Sequence, residues 1–306
     1  GITNFVTPVK TAYWNHTPLL LVTPQAANKT LGQGGFQEVE QMALFKDMVA
    51  YQEEVRDPSR IAETLNRVIL QAKRASAPAQ INVPRDFWTQ VIDIELPAIV
   101  EFERPSGGED AVNEAAALLS KAEFPVLLNG AGVVIGGAIE ASIKLAERLD
   151  APVCCGYQHN DAFPGSHPLF AGPLGYNGSK AGMELISKAD VVLALGTRLN
   201  PFSTLPGYGL DYWPKNAKLI QVDMNAERIG LTKPVAVGIA GDAKKTAEGI
   251  LEKLTPEAGN QGRQERRNLI AELKATWSET LSTMDHEDDD PGTSWNLRAR
   301  EKQPSY

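Results

Sequence analysis

Cysteine is nearly missing from this chain: 306 residues contain two, Cys154 and Cys155, side by side. Vicinal cysteines rarely form a relaxed disulfide with each other, and a reducing, cytoplasmic setting fits so sparse a use. The pair lies in Pro152-Val153-Cys154-Cys155, a buried-strand pattern in which cysteine acts as a small hydrophobe; a thiol role is the alternative reading. Histidine is scarce, with four residues, and no Cys/His spacing suits a zinc site. No Ser/His/Asp order suggests a hydrolase triad. No apolar run approaches the roughly 18 residues of a membrane span. Excess positive charge is also lacking: the net charge of −8 argues against nucleic acid as a partner. There is no internal repeat and no long low-complexity run. What is present is 42% apolar residues, enough for a real core, and a length for which two domains are the natural expectation.

The chain opens Gly1-Ile2-Thr3-Asn4-Phe5, with no methionine and no strand before it. This reads as a strand-to-helix turn, with free amides at a helix start. Such a turn needs a preceding strand, so the chain is expected to be a piece of a longer protein. A helix follows, with Phe5, Val6, Val9 and Tyr13 at helical spacing. Pro18–Gln25 has a buried-strand pattern. Gly32-Gln33-Gly34-Gly35-Phe36-Gln37-Glu38 reads as a flexible loop in which glycines allow close backbone approach to a ligand; an ordinary mobile surface loop is the alternative. Asp57-Pro58 pairs an N-cap carboxylate with a first-turn proline. Ile61, Leu65, Val68, Ile69 and Ala72 then share a helix face, and Pro78–Pro84 closes the unit as a short strand.

After a Pro-, Glu- and Gly-rich stretch from about Leu96 to Gly108, strands and helices alternate. Strands are predicted at Phe124–Leu128, Val153–Cys155, Val191–Leu195, Leu219–Val222 and Val235–Ile239. Helices are predicted around Val112–Leu119 and over Ile139–Leu149, Gly182–Lys188 and Lys244–Leu254. This alternation implies α/β architecture with a doubly wound, six-stranded parallel sheet. The expected division is 1–90, a linker over 91–108, a second domain over 109–256, and a helix and linker over 257–306. In the last part, Gln264–Met284 reads as an amphipathic helix with Leu269, Leu273, Trp277 and Leu281 on one stripe. Asp285–Gly292 is an acidic breaker without the spaced ligands of a calcium loop.

Several loops could carry chemistry. Gly130-Ala131-Gly132 follows a strand and opens a helix, where a nucleotide phosphate can sit on backbone amides. Gly-x-Gly alone is weak evidence, but Gly196-Thr197-Arg198, Asp223 and Gly241-Asp242 also follow strands and should converge on one crevice. An empty pocket is the other reading. His159, in Tyr157-Gln158-His159-Asn160-Asp161, could hold an anion or move a proton, or be structural. His16 and His167 read as turn residues.

The stretches Gly1–Gln25, Gln33–Gln41, Tyr157–Asp161 and Gly172–Lys180 together resemble thiamine-diphosphate enzymes of the acetolactate synthase and pyruvate oxidase kind. Within these they are most similar to the branch acting on sulfoacetaldehyde, and the likeness runs collinearly from Gly1 to about Trp295. It implies that residues 1–90 are the second part of a pyrimidine-binding domain and that 109–256 are a middle domain. Gly1, Thr3, Asn4 and Gln25 would then approach thiamine diphosphate. Phe36 and Gln37 would lie beside the thiazolium of a neighbouring subunit, in a homodimer or homotetramer. The implied reaction converts sulfoacetaldehyde and phosphate to acetyl phosphate and sulfite. The activating glutamate and the Mg²⁺-diphosphate motif of such enzymes would lie before Gly1 and beyond Tyr306. Middle domains of this family bind FAD, ADP or nothing. Where FAD-binding members carry Arg-Phe-Asp-Asp-Arg, this chain has Arg198-Leu199-Asn200-Pro201-Phe202, which makes FAD doubtful. Another enzyme of the superfamily, or a non-catalytic nucleotide-binding module, remains an alternative.

Overall fold

A computed structural model describes residues 1–36, 38–98, 100–101 and 103–283. The chain divides into two compact units, Gly1–Phe102 and a second that begins at Glu103.

The first unit starts with a short 3-10 turn, Ile2–Phe5, that runs into α1 (Val6–Trp14). Strand β1 (Leu19–Gln25) follows, then α2 (Gln41–Phe45), β2 (Tyr51–Glu54), α3 (Ile61–Ala75) and β3 (Pro78–Pro84). All three strands are parallel, in the order β1-β3-β2. Every residue of the central strand β3 is buried. The Asp57 carboxylate caps the start of α3, accepting from the Ser59 amide at 2.9 Å. Against the sequence expectation, β1 is only half-buried. It is an edge strand, and its alternation leaves Leu20 and Val22 exposed on one face. Strand β2 was not anticipated, because Tyr51-Gln-Glu-Glu shows no apolar alternation. Pairing with β3 and contact with α3 hold it instead. On the α3 side, Arg67 binds both oxygens of Glu53, at 2.8 Å each, and the Tyr51 hydroxyl donates to Glu53 at 2.7 Å.

The second unit contains α4 (Glu109–Lys121), β4 (Pro125–Asn129), α5 (Ala131–Ile135), α6 (Ile139–Leu149), β5 (Val153–Cys155) and β6 (Phe170–Pro173). It continues through α7 (Lys180–Ile186), β7 (Val191–Leu195), β8 (Lys218–Asp223), β9 (Val237–Ala240), α8 (Ala243–Lys253) and α9 (Arg263–Thr283). The sheet has the expected six parallel strands, in the order β6-β5-β4-β7-β8-β9. Strand order reverses beside β4, from which the chain runs outward in both directions, as in doubly wound folds. Central strands β4 and β7 are buried throughout, so both faces are covered. Strand β6 escaped the sequence reading because Gly172 and Pro173 signal a turn, and Gly172 does adopt φ +97°.

Helix α9 is fastened to this unit by an arginine. Arg266 is 1% exposed. Its guanidinium donates to the carbonyls of Asp150 (3.2 Å), Glu123 (2.6 Å), Leu149 (3.1 Å), Gly259 (2.7 Å) and Gln261. Arg267 adds an ion pair to buried Asp150 at 2.8 Å. Of the expected apolar stripe, Leu269 and Leu273 pack on the core and Trp277 meets Tyr208 edge-on, but Leu281 stays exposed. The acidic segment after Thr283 lies outside the described residues.

Two predictions follow from this packing. Arg266→Met removes the donors from five carbonyls at once and should destabilise the second unit by about 3–5 kcal/mol, the range for breaking a buried charge network. Denaturant-dependent amide exchange in β4 measures this, and a loss below about 1 kcal/mol would contradict the role given to the clasp. The second concerns pH. Hydrogen bonds from Arg67 hold the Glu53 carboxyl below its ordinary range. A depressed carboxylate stabilises fully above its unfolded pKa, about 4.3, and that contribution disappears as pH falls through the folded value. Arg67→Met should therefore lower the melting temperature at neutral pH by more than it does at an acid pH below the folded value. An equal gap at both pH values would show that the pair adds nothing through charge.

Candidate functional site

In a parallel sheet the carboxyl ends of all strands open on one edge, and ligands collect there. Each unit therefore presents one candidate edge.

On the first unit, a cavity of about 750 Å³ opens beside the ends of β1 and β2, a volume in the range of small-molecule sites. Its wall includes Gln25, Gly32, Glu38, Val39, Met42, Gln52, Glu54, Arg56 and Asp57. Gln25 is only 6% exposed and its Oε1 accepts from the Ala26 amide at 2.8 Å. Gly32 and Gly34 take φ +82° and +72°, a region closed to most residues. The Glu38 carboxylate ties the loop, accepting from the amides of Gly32 (2.7 Å) and Gly35 (3.2 Å). Sequence reasoning missed Glu38; its place three residues after Gly35 was the available signal. Phe36 projects from the loop at 95% exposure. Gln37 lies outside the described residues. Gly1, Thr3 and Asn4 are exposed, and no neighbour lies within 4 Å of a side chain built at Gly1.

Behind the cavity, the sheet face carries a polar row that the sequence reading did not identify. Thr23 donates to Asn82 Oδ1 (2.7 Å), and Asn82 Nδ2 donates to Glu54 (2.6 Å). These three residues share one cross-strand register. In the next row Gln80 donates to Thr23 (3.0 Å), and Gln52 donates to the Met42 carbonyl (3.0 Å). The amide oxygens of Gln41, Gln52 and Gln80 are buried without a donor. Buried polar atoms normally find partners.

The second unit's edge is built differently. Gly130, Ala131, Gly132, Gly196, Thr197, Arg198, Asp223 and Asp242 all stand at or just past the carboxyl ends of strands, as expected. Three of the amides expected to form a phosphate cradle have backbone partners. Gly130 N–H donates to Leu195 O (3.0 Å), Gly132 N–H to Gly196 O (2.8 Å), and Gly196 N–H to Val222 O (2.9 Å). A Cβ on Gly132 would fall 2.6 Å from Gly196 Cα, and one on Gly130 2.5 Å from Thr197 Cβ. These glycines let two loops touch each other. The helix they open, α5, has five residues.

The carboxylates are also occupied. Asp242 caps α8, accepting from the amides of Lys244 (3.0 Å) and Lys245 (3.2 Å), and binds Arg104 at 3.1 Å. Asp223 accepts from the Asn225 amide at 2.8 Å and faces Arg228 at 3.6 Å. Burial pushes its pKa up against those contacts. Thr197 Oγ1 accepts from the Leu199 amide at 3.2 Å. Arg198 is half-buried and feels both Arg228 and Asp223. Burial lowers the His159 pKa most; Arg198 lowers it further, while Asp161, at 4.0 Å, raises it. His159, Arg198 and Asp223 are thus brought into one electrostatic neighbourhood.

The same edge carries an aromatic trio that sequence reasoning missed. Tyr157, Tyr176 and Phe202 have ring centroids 5.7–6.2 Å apart. Gly175, at φ +77°, lets the Tyr176 segment meet the Phe202 carbonyl, which lies 1.8 Å from where its Cβ would be. The two cysteines lie nearby but are buried, and burial raises both thiol pKa values, that of Cys155 to about 12. They are core side chains, as the strand pattern suggested.

Comparison with known proteins matches residues 112–250 to the thiamine pyrophosphate enzyme central domain. The whole chain is 79% identical over 306 residues to a sulfoacetaldehyde acetyltransferase of Roseovarius nubinhibens, covering 100% of this chain and 51% of that protein. A sulfoacetaldehyde acetyltransferase of Castellaniella defragrans is 48% identical over 291 residues, 94% of this chain and 49% of that protein. A probable acetolactate synthase large subunit of Methanocaldococcus jannaschii is 32% identical, over 83% of this chain and 44% of that protein. The chain spans about half the length of the curated relatives it matches. Benzoylformate decarboxylase from Polynucleobacter necessarius shares the fold, with TM-score 0.73 and 24% identity over 85% of this chain and 49% of that one. Residues 112–250 are thus a thiamine pyrophosphate enzyme central domain, and the chain as a whole is similar to sulfoacetaldehyde acetyltransferases.

Proposed function

We propose that the protein containing this chain is a thiamine-diphosphate-dependent sulfoacetaldehyde acetyltransferase. It would convert sulfoacetaldehyde and phosphate to acetyl phosphate and sulfite. The observation that carries this reading is 79% identity over 306 residues, 100% of this chain, to a protein of that name. Relatives named as acetolactate synthases stand much further off, at 32% identity or less.

Residues 1–90 are read as part of a pyrimidine-binding domain, and 109–256 as the middle domain. The first unit's cavity suits an aminopyrimidine, which presents both donors and acceptors: the Gln52 amide oxygen there has no donor, and Gln25 brings a second amide to the wall. Bound thiamine diphosphate would supply a nucleophilic carbon and an electron sink. Gly1, Thr3, Asn4 and Gln25 are assigned to holding it. Phe36, almost fully exposed, would form an apolar wall against a second subunit of a homodimer or homotetramer, with Gln37 giving an amide to substrate oxygen. Among the described residues, no three His, Cys, Asp or Glu side chains converge as a metal site requires, so no Mg²⁺ ligand is assigned to this chain. His159 is kept as a neutral imidazole able to take a proton. FAD in the middle domain is disfavoured by Arg198-Leu199-Asn200-Pro201-Phe202, and the Gly130, Gly132 and Gly196 amides and the Asp223 and Asp242 carboxylates have partners within the chain. No helix among the described residues is long and apolar enough to cross a membrane, and a cytoplasmic enzyme is proposed.

The test uses the protein at its relatives' full length, with thiamine diphosphate, Mg²⁺ and phosphate. Sulfoacetaldehyde should yield sulfite and acetyl phosphate in equal amounts. Acetolactate from pyruvate, without sulfite from sulfoacetaldehyde, would replace this reading with the acetolactate synthase one.

A further inference from the structure

The first unit's cavity is lined by seven charged side chains, and their pairing is uneven. Glu38 is held by two loop amides, Glu53 by Arg67, Glu54 by Asn82 and Asp57 by Ser59. Arg60 pairs with Glu63. Arg56 has no hydrogen bond or ion pair among the described residues. Of the carboxylates in the wall, Glu40 is the one likewise unpaired. The wall therefore offers one cation whose charge is not already spent on a neighbour.

The backbone under Arg56 is fixed on both sides. Val55 is 1% exposed and its amide donates to Asn82 O at 2.9 Å, extending β2 beyond Glu54. Asp57 immediately after it is locked as the helix cap. The side chain thus springs from a rigid base at the carboxyl edge of the sheet. Five guanidinium N–H groups in a planar fork suit a tetrahedral oxyanion.

We propose that Arg56 is the residue that binds the sulfonate of the substrate. This rests on the reaction proposed above, which brings two oxyanions to the enzyme, a sulfonate and a phosphate. The charge of the wall selects between them. A sulfonate carries a single negative charge, matched by one arginine. Phosphate at neutral pH carries between one and two charges, and the five carboxylates of the wall, against two arginines, oppose it more strongly than a monoanion. Gln25 and Gln52 remain for neutral, hydrogen-bonding groups in the same cavity. Arg56 is a specificity residue: it holds the substrate's non-reacting end and does not touch the carbonyl.

Arg56 is exposed, so its replacement should leave the fold intact. In the full-length protein, Arg56→Gln should raise KM for sulfoacetaldehyde at least tenfold, with kcat within about twofold and KM for phosphate unchanged. Arg56→Lys, which keeps the charge but loses the fork, should recover part of the loss. An unchanged KM for sulfoacetaldehyde overturns the proposal, and so does a rise confined to KM for phosphate. If the parent protein releases no sulfite, the reaction itself is wrong. Ethanesulfonate, a sulfonate without the aldehyde, then still tests the site: binding by calorimetry that Arg56→Gln abolishes supports the arginine, and binding equal in both proteins refutes it.

Discussion

A parallel strand can be entered only from the end at which its neighbour also begins, so every connection must cross back over a face of the sheet. This single constraint arranges both units of the chain. It buries β3, β4 and β7 between helices, and it turns every carboxyl end toward one edge. Loops distant in sequence meet there: Gly130 with Gly196 on the second sheet, Gln25 with Arg56 around the cavity of the first. Without parallel order neither edge would exist as a site.

The two edges have used that convergence in opposite ways. On the six-stranded sheet the loops close on one another. Glycines allow backbone to meet backbone, amides bond across the junction, and Asp223 and Asp242 turn back to cap their own segments. The result is a rigid rim with an aromatic cluster on it. On the three-stranded sheet the loops stand apart around about 750 Å³ of space. There, among the described residues, the buried Gln52 amide oxygen in the wall lacks a donor and Arg56 lacks a carboxylate, while on the six-stranded edge the one such atom is Asn129 Oδ1 at the end of β4. An unsatisfied buried acceptor is costly unless something fills its place. A ligand edge and a structural edge thus follow from the same topology.

Much of this fold could be read in the sequence. Val191–Leu195 and its counterparts are short apolar runs between helical patterns, and such runs admit few other structures. The polar strand Tyr51–Glu54 and the Gly- and Pro-containing strand Phe170–Pro173 could not be found this way, since pairing partners rather than local preference make them strands. Arg266 was hidden because an arginine on a charged amphipathic helix normally faces water; only the five carbonyls gathered by the fold explain its burial. The site was harder. Gly-x-Gly after a strand reads equally as close approach to a phosphate or to another loop, and the choice lies in residues more than sixty positions away. Glu38 and Arg56 were visible as charges, but their pairing or lack of it is a property of the folded chain.

The distinction between the two edges is open to one direct measurement. Hydrogen exchange of the full-length protein with thiamine diphosphate and Mg²⁺ should be compared with and without ethanesulfonate. The account requires added protection at the backbone around Gly32–Glu38 and Val55–Asp57, with no change at Gly130–Gly132 or Gly196–Arg198. Protection confined to the glycine loops of the six-stranded sheet would contradict it.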